Sequence, residues 1–246
     1  MKILFSPSEG KTKLYDCGAV NKDSFFFPEL YEKRIYAVNI YNDYIMKNRA
    51  EDIQYIFGIK DIDEIKQYQH NIFDEKTCSA IERYSGVSYS YLAYNSLDEN
   101  AKEYILDNLI IFSNLFGPVL ACNKLPYYKF KQGVKINNFS YEKYYKEHFS
   151  NALDKYLENE EIIDLRAGLY EKFYQIKKPY TTHKFIKGGK VVSHFSKAYR
   201  GILLKTMAEC RAVSNNELLQ NLPETLKIID TIMKNNKEEI ILEVMV

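Results

Sequence analysis

Residues 162–166 read Ile162-Ile163-Asp164-Leu165-Arg166, and this short apolar run decides the fold class. Its composition indicates a strand that is buried on both faces, as the inner strands of a sheet covered by helices are. A segment with helical spacing precedes it, and predicted strands and helices alternate after it. The pattern predicts an α+β (mixed α/β) protein with a mixed sheet flanked by helices.

Other elements extend this prediction in both directions. No internal repeat, low-complexity tract or linker interrupts the chain, so residues 1–246 are expected to form a single compact domain. Strands are predicted at 2–5, 109–112, 191–192 and 240–244, helices at about 29–45, 61–69, 75–84, 98–108 and 141–157, a break at Gly117-Pro118 and a hairpin turn at 187–190.

Composition restricts the class of protein. The chain has 246 residues, 46% of them hydrophobic, which is enough for a full core. It has no apolar run of about 18 residues that could span a bilayer, and the apolar start at Met1 is broken by Pro7 too early for a signal peptide. We therefore expect a cytoplasmic protein that has no membrane partner, and we favour a monomer.

Metal and disulfide chemistry lack support in the sequence. The four cysteines, Cys17, Cys78, Cys122 and Cys210, are far apart and show no paired spacing. The four histidines include no His-x-x-x-His pair. We expect reduced thiols, no metal site and no cofactor, and direct iron sequestration is the weakest of the functions considered.

Charge is distributed unevenly along the chain despite a formal net charge of +1. Residues 121–200 hold 16 Lys and Arg against 8 Asp and Glu, whereas residues 51–110 hold 5 against 12. This pattern is typical of a localised anion-binding face, although folding could interleave the two sets. Within 124–135, lysines alternate with Tyr127, Tyr128 and Phe130, a mixture that can hold phosphates and stack bases. A strand with one solvated face is the favoured alternative.

The run Val191-Val192-Ser193-His194-Phe195-Ser196-Lys197-Ala198-Tyr199-Arg200-Gly201 predicts a strand that leads into a helix with Ser196 as its N-cap. Lys197 and Arg200 would then lie in the first helical turn. A cation there costs about 0.3–1 kcal/mol, because the helix dipole is already positive at that end. A bound anion would remove that cost. The alternative is that both side chains reach a surface carboxylate or solvent.

The segment Ser6-Pro7-Ser8-Glu9-Gly10-Lys11-Thr12 follows a strand and ends like a P-loop. A P-loop needs a glycine five residues before Gly10, and this chain has Phe5 there. Pro7 also removes one backbone N–H from the phosphate cradle. We reject a nucleotide-hydrolysing P-loop. The weaker prediction is that Ser6, Ser8 and Lys11 offer donors to an anion, and a simple exit from strand to loop is the favoured alternative on these residues alone.

Six blocks, in order, resemble the YaaA family of peroxide-stress proteins. They are LFSPSEGKT (4–12), YSGV (84–87), FSNLFG (112–117), LPYYK (125–129), DLRAGLY (164–170) and VSHFSKAYRG (192–201). The resemblance implies a compact single domain with a positively charged cleft and a helix-hairpin-helix element. It further implies a cytoplasmic protein that binds double-stranded DNA and limits oxidative damage when hydrogen peroxide rises, in connection with lower free iron.

The resemblance also implies site residues. From its polar motif positions we predict DNA or anion binding by Ser6, Lys11, Lys129, Arg166, Lys197 and Arg200. Further polar cleft residues from these positions would be Glu9, Ser113 and Tyr170, and the enzyme hypothesis below adds His194 to them. Gly86, Gly117 and Gly201 are expected to permit tight turns or close packing.

This chain departs from the family pattern at three places. It lacks the arginine that usually follows the glycine of the central block, and Lys129 replaces a more usual arginine, which loses the bidentate fork. The best helix-hairpin-helix candidate is 56–60, but Asp61, Asp63 and Glu64 follow it and would repel a phosphate. A plain turn between helices is the favoured interpretation of that segment.

An enzyme is the competing hypothesis. Glu9, Tyr170 and His194 could form a cleft in which cations hold a phosphorylated or nucleotide substrate while a carboxylate or imidazole moves a proton. Asp164, Arg166 and Lys197 belong to the same candidate set. Asp164 and Arg166 lie two apart on one face of a strand, so a structural ion pair explains them equally well. No reaction and no catalytic residue can be selected from the sequence.

Overall fold

A mixed sheet forms the centre of the computed structural model, which describes residues 1–191 and 193–245 and, for Val191, Ser193 and His194, the backbone alone. Within these residues there are ten strands and nine α-helices. The strands are β1 (Lys2–Phe5), β2 (Thr77–Ser79), β3 (Leu109–Ser113), β4 (Gly117–Leu120), β5 (Lys124–Pro126), β6 (Ile162–Leu165), β7 (Tyr180–Lys187), β8 (Lys190–Val191), β9 (Leu226–Lys234) and β10 (Lys237–Val244). The helices are α1 (Tyr31–Lys47), α2 (Ala50–Phe57), α3 (Ile62–Ile65), α4 (Ala80–Arg83), α5 (Val87–Leu92), α6 (Glu99–Asn108), α7 (Tyr141–Tyr156), α8 (Ser193–Cys210) and α9 (Asn215–Gln220).

The main sheet has the strand order β4-β3-β1-β6-β7-β10-β9, with β8 paired to β7. Strands β3, β1, β6, β7 and β10 are parallel to their neighbours in this order, whereas β4, β8 and β9 pair antiparallel. A separate two-stranded sheet joins β2 to β5. All four residues of β6 are buried. The predicted α+β class and the two-sided burial of this strand are therefore confirmed.

Strand β1 lies where the chain changes direction across the sheet. It pairs with β3 on one side, in the register Ile3 with Leu109, and with β6 on the other, in the register Ile3 with Ile163. After β1 the chain forms β3 and β4 on one side of this strand, and it then forms β6 and β7 on the other side. This arrangement is a topological switch point, and the crevice outside the carboxyl ends of the strands there is the usual ligand position in such sheets.

Several predicted elements differ from the observed ones. The segment 75–84, predicted as a helix, begins as β2, because pairing with β5 outweighs its helical pattern, and only then enters α4. The predicted break at Gly117-Pro118 is the start of β4, an edge strand that tolerates proline. The N-cap predicted at Ser196 is wrong, because α8 already begins at Ser193.

Two fully buried arginines hold loops against the core. Arg34 donates to the carbonyls of Phe26, Phe116 and Pro118, and its guanidinium lies 4.9 Å from the ring centroids of Phe25 and Phe149. Burial lowers the pKa of Arg34 to about 10, so it stays a cation at neutral pH. Arg83 similarly donates to the carbonyls of Thr12, Leu14 and Leu125. Carbonyl dipoles and aromatic faces thus take the place of a carboxylate partner.

The aromatic residues of the basic segment belong to the core. Tyr127, Tyr128 and Phe130 are all buried, and Phe130 packs edge-on against Tyr41 and Tyr141. These rings are therefore not exposed for stacking on bases. The alternative interpretation of this segment, a strand with one solvated face, fits better than base stacking, although only 124–126 forms a strand. None of the helices in the described chain is long and apolar enough to cross a membrane.

Gly201 allows α5 and α8 to cross closely. A Cβ added at Gly201 would lie 2.1 Å from the carbonyl oxygen of Ser88, which is shorter than any normal contact. On the same surface the Ser88 hydroxyl donates to the carbonyl of Lys197 at 2.7 Å. The close approach confirms the predicted packing role of this glycine, and it fixes the part of α8 that carries Lys197 and Arg200.

Substitution of Gly201 by alanine should lower the free energy of unfolding by about 1–3 kcal/mol, because the overpacking of α5 against α8 outweighs alanine's better helix propensity of about 1 kcal/mol. Thermal denaturation measures the effect. Gly18→Ala is the matched control, since a Cβ there meets nothing within 4 Å, and its melting temperature should stay near that of the wild type. A Gly201→Ala variant as stable as the wild type would contradict the close packing.

Candidate functional site: a cavity at the switch point of the sheet

A cavity of about 440 Å³ lies outside the carboxyl ends of β1 and β6. Phe5 and Leu165, the last residues of these two strands, form part of its floor. Its walls come from the loop after β1, the start of α5, Gln132, the segment after β6, and α8. The volume falls within the roughly 300–1,000 Å³ typical of small-molecule sites. The fold thus places a ligand-sized cavity at the switch point.

Ser6 ties the elements around the cavity together. Its hydroxyl oxygen accepts a hydrogen bond from the Ala167 N–H at 2.7 Å, which joins the ends of β1 and β6. Its carbonyl oxygen accepts from the Tyr89 hydroxyl at 3.0 Å, which attaches α5. The Ser6 hydroxyl lines the cavity and keeps a proton that a ligand could accept.

A second set of contacts closes the opposite wall. The Glu9 carboxylate accepts a hydrogen bond from the Gln132 N–H at 3.1 Å, and the Tyr170 hydroxyl donates to the Gln132 side-chain oxygen at 3.3 Å. Tyr170 is only 3% exposed, so its ring is fixed in the cavity wall. Glu9 and Tyr170, predicted as cleft residues, therefore lie together with Gln132, which the sequence did not single out.

The two cations of α8 lie at the cavity, but for a different reason from the one predicted. Because α8 begins at Ser193, Lys197 and Arg200 are beyond its first turn, and the helix-dipole cost assigned to them does not apply. Both nevertheless line the cavity. Neither charged group forms a hydrogen bond or ion pair with another residue that the structure describes. Burial lowers the pKa of Arg200, while Asp164 and Glu171 oppose the shift.

Lys11 lies behind the cavity wall against a cluster of tyrosines. Its ammonium is 4.1 Å from the ring centroid of Tyr128 and 5.4 Å from that of Tyr84. It donates weakly to the carbonyl oxygen of Ser8 at 3.3 Å. Burial, with a smaller contribution from the Lys129 cation, lowers the pKa of Lys11 to about 7, and Glu9 opposes the shift. Lys11 is therefore an amine that can lose its proton near neutral pH.

Ser113 supports this cluster from inside the core. Its hydroxyl hydrogen-bonds with that of Tyr128 at 2.9 Å, and the Tyr128 hydroxyl contacts that of Tyr84 at 2.8 Å. Ser113 is fully buried and does not line the cavity. Burial raises the pKa of Tyr84 to about 12, so its hydroxyl stays protonated. This chain of hydroxyl groups fixes the rings on which the Lys11 ammonium rests.

Arg166 occupies a structural position. Its guanidinium forms a bidentate pair with Asp164, with both N–O distances at 2.8 Å, and donates to the carbonyls of Tyr170 and Tyr174. It also lies 4.5 Å from the ring centroid of Phe112 and is 4% exposed. Four of its five N–H donors are used inside the protein, and Arg166 does not line the cavity. The alternative of a structural ion pair, left open by the sequence, fits these contacts.

The remaining sequence-predicted residues are placed as follows. Lys129 is half-buried and near enough to Lys11 to shift its pKa. Val192, the second residue of the strand predicted at 191–192, and the side chain of His194 lie outside the described residues. The turn at 58–60 does join two helices, but Asp61 accepts from the Asp63 N–H and so occupies the start of α3. A plain turn fits this segment better than a phosphate-binding hairpin.

Two features of the site had no clear signal in the sequence. Tyr89 and Gln132 line the cavity through contacts with residues more than 80 and 120 positions away. Only their proximity to Gly86 and to the basic segment could have drawn attention to them.

Among the side chains that the structure describes, no three of the types His, Cys, Asp and Glu are grouped to hold a metal ion.

Comparison with known proteins gives consistent results. Residues 1–228 match the family model described as Peroxide stress protein YaaA. An uncharacterized protein of Campylobacter jejuni is 53% identical over 245 residues, which cover 100% of each chain. A UPF0246 protein of Corynebacterium glutamicum is 32% identical over 176 residues, 68% of this chain and 70% of the relative. A UPF0246 protein of Malacoplasma penetrans is 28% identical over 218 residues, 83% and 84% of the two chains.

The lowered pKa of Lys11 predicts a pH-dependent stability. Between pH 7 and 9 the unfolded chain keeps a proton on Lys11 that the folded chain has lost, so the free energy of unfolding should rise with pH. The contribution is at most about 1.4 kcal/mol per pH unit, measured by urea unfolding relative to Lys11→Met. Lys13→Met, which leaves Lys11 in place, should keep the wild-type slope. Parallel curves for wild type and Lys11→Met would refute the assignment.

Proposed function

This chain belongs to the YaaA family of peroxide stress proteins, and from that membership and the cations of its cavity we propose that it binds double-stranded DNA. In this proposal the protein acts in the cytoplasm during peroxide stress, binds DNA without sequence specificity, and thereby limits iron-dependent oxidative damage. The surface concerned is the cleft cations, defined as Lys197 and Arg200, which line the cavity, together with Lys11 and Lys129, which lie near each other outside its lining.

The observation that carries the proposal is the position of Lys197 and Arg200. Both lie at the cavity on one helix, and neither charged group forms a hydrogen bond or ion pair with another described residue. Burial lowers the pKa of Arg200, and the carboxylates of Asp164 and Glu171 are near enough to oppose that shift. Charged side chains without partners at a concave surface favour a polyanion, since phosphate contacts and counterion release supply most of the affinity in non-specific DNA binding. Arg166, bound to Asp164, has no part in this surface.

Phosphate contacts of this kind position a protein on DNA but do not identify bases. Lysine contacts phosphate as a point charge, without the bidentate geometry of arginine. Three of the four cleft cations are lysines. The composition of the surface therefore favours binding to many sequences over recognition of one.

A second candidate function is supported by the cavity itself. An enzyme that acts on a phosphorylated or nucleotide small molecule would use a concave site at the switch point of the sheet. The Glu9 carboxylate and the Lys11 amine, with a pKa of about 7, could move a proton there. Binding of a small phosphorylated ligand without any binding of duplex DNA would favour this candidate.

Salt dependence tests the DNA proposal. If the four cleft cations neutralise about four phosphates at pH 6, where Lys11 with its pKa of about 7 is mostly protonated, the logarithm of the association constant should fall with the logarithm of salt concentration at a slope of about −3.6. Fluorescence anisotropy of a labelled duplex across a salt series measures this slope. Lys197→Ala/Arg200→Ala should reduce it to about −1.8, because two phosphate contacts are lost.

The matched control is Lys47→Ala/Lys66→Ala. It removes the same charge from two exposed lysines that pair with Asp43 and Asp63, away from the cavity. This control should keep the wild-type slope. An equal loss of slope in both double variants, or a wild-type slope near zero, would show that the cleft does not bind DNA.

A further inference from the structure

The cavity lies directly beside the cations that the DNA backbone would contact. Lys197 and Arg200 line it together with the loop after β1, so a phosphate held by these cations would be adjacent to the cavity. A cavity of about 440 Å³ cannot admit a duplex. It can admit one unstacked nucleotide, as in proteins that extrude a base into a pocket.

The cavity walls have the two chemical features that a base requires. The first is a set of apolar and aromatic faces from Phe5, Leu165, Tyr89 and Tyr170. Both tyrosine rings are fixed, because the hydroxyl of Tyr89 bonds to the Ser6 carbonyl and that of Tyr170 bonds to Gln132. Each of these four side chains is at most 8% exposed, so the cavity presents them as a rigid apolar floor against which one base can rest, not as free stacking faces.

The second feature is a polar edge. One oxygen of Glu9 accepts from the Gln132 N–H, and the other has no hydrogen bond with a described residue. The Gln132 side-chain nitrogen likewise has no partner among the described residues, and the Ser8 hydroxyl can still donate. A carboxylate acceptor beside amide and hydroxyl donors matches the mixed pattern on the Watson–Crick edge of a base.

From this arrangement we infer that the cavity binds a single nucleotide, with its base against the apolar floor beside Tyr89 and Tyr170 and its phosphate on Lys197 and Arg200. The nucleotide can be extruded from DNA bound across the cleft, in which case the inference rests on the proposed function. It can also be a free nucleotide with the same base and phosphate. The two sources share one chemistry and are separated by experiment.

The first experiment uses a duplex that carries 2-aminopurine opposite an abasic site, titrated with the full-length protein. Unstacking of 2-aminopurine increases its fluorescence, so extrusion should produce a several-fold rise at saturation. Anisotropy of an end label on the same duplex reports binding independently. The second experiment titrates the protein with deoxyadenosine 5′-monophosphate in a calorimeter.

The variant Ala167→Leu tests the contribution of the cavity while leaving the cations unchanged. Ala167 lines the cavity and is partly exposed, so a leucine there fills space without changing charge. This variant should bind duplex within about twofold of wild type, since phosphate contacts are retained. It should lose the rise in 2-aminopurine fluorescence and the binding of free nucleotide. Val87→Phe, at the exposed rim of the same cavity, replaces it if Ala167→Leu does not fold.

The outcomes are distinct. A fluorescence rise that is lost in Ala167→Leu supports extrusion from DNA, and calorimetric binding that is lost in the same variant supports a free nucleotide. Duplex binding with neither signal overturns the inference and leaves the proposed function intact. Failure to bind either the duplex or the nucleotide overturns both.

Discussion

The position of β1 between β3 and β6 is the constraint on which the candidate site depends. Parallel pairing on both sides places the carboxyl ends of β1 and β6 next to each other, and the chain leaves each strand in a loop that must lie above the sheet. No helix can cover both exits at a switch point, so a crevice is left there. Ser6 and Ala167 lie in these exits and are joined by a hydrogen bond across the crevice floor.

The walls of the crevice are rigid because buried polar groups hold them from behind. Arg83 anchors the loop after β1 through its carbonyls, and the pair of Arg166 with Asp164 anchors the segment after β6. Removal of one partner from such a buried pair leaves an uncompensated charge, which costs about 3–5 kcal/mol. These arginines therefore shape the cleft without being exposed to its ligand. The cations that line the cavity are instead Lys197 and Arg200 on α8.

Sequence reasoning predicted the elements whose pattern is local. The strand at 2–5, the helix at 141–157 and the hairpin at 187–190 were predicted almost to the residue, because apolar periodicity and glycine turns mark them. It failed where long-range pairing decided the outcome. Residues 77–79 became a strand through pairing with β5. Strand β9 pairs with β10 although its apolar residues Ile228, Ile229, Ile232 and Met233 do not alternate with polar ones.

The same distinction applies to the site. Ser6, Glu9, Tyr170, Lys197 and Arg200 were predicted and do line one cavity. Ser113 and Arg166 were predicted as well, but they lie in the core, since their roles depend on partners that sequence order does not reveal. The start of α8 was displaced by one turn, and the inference drawn from the helix dipole failed with it.

Hydrogen–deuterium exchange of the protein with and without a saturating short duplex tests the central claim most directly. The account predicts slower exchange in the loop after β1, at 129–132 and around Lys197 and Arg200 in α8, with no change in the turn at 58–60. Protection confined to that turn, or to the exposed strand β9, together with unchanged exchange at the cavity, would contradict the assignment of the switch-point cleft as the site of DNA binding.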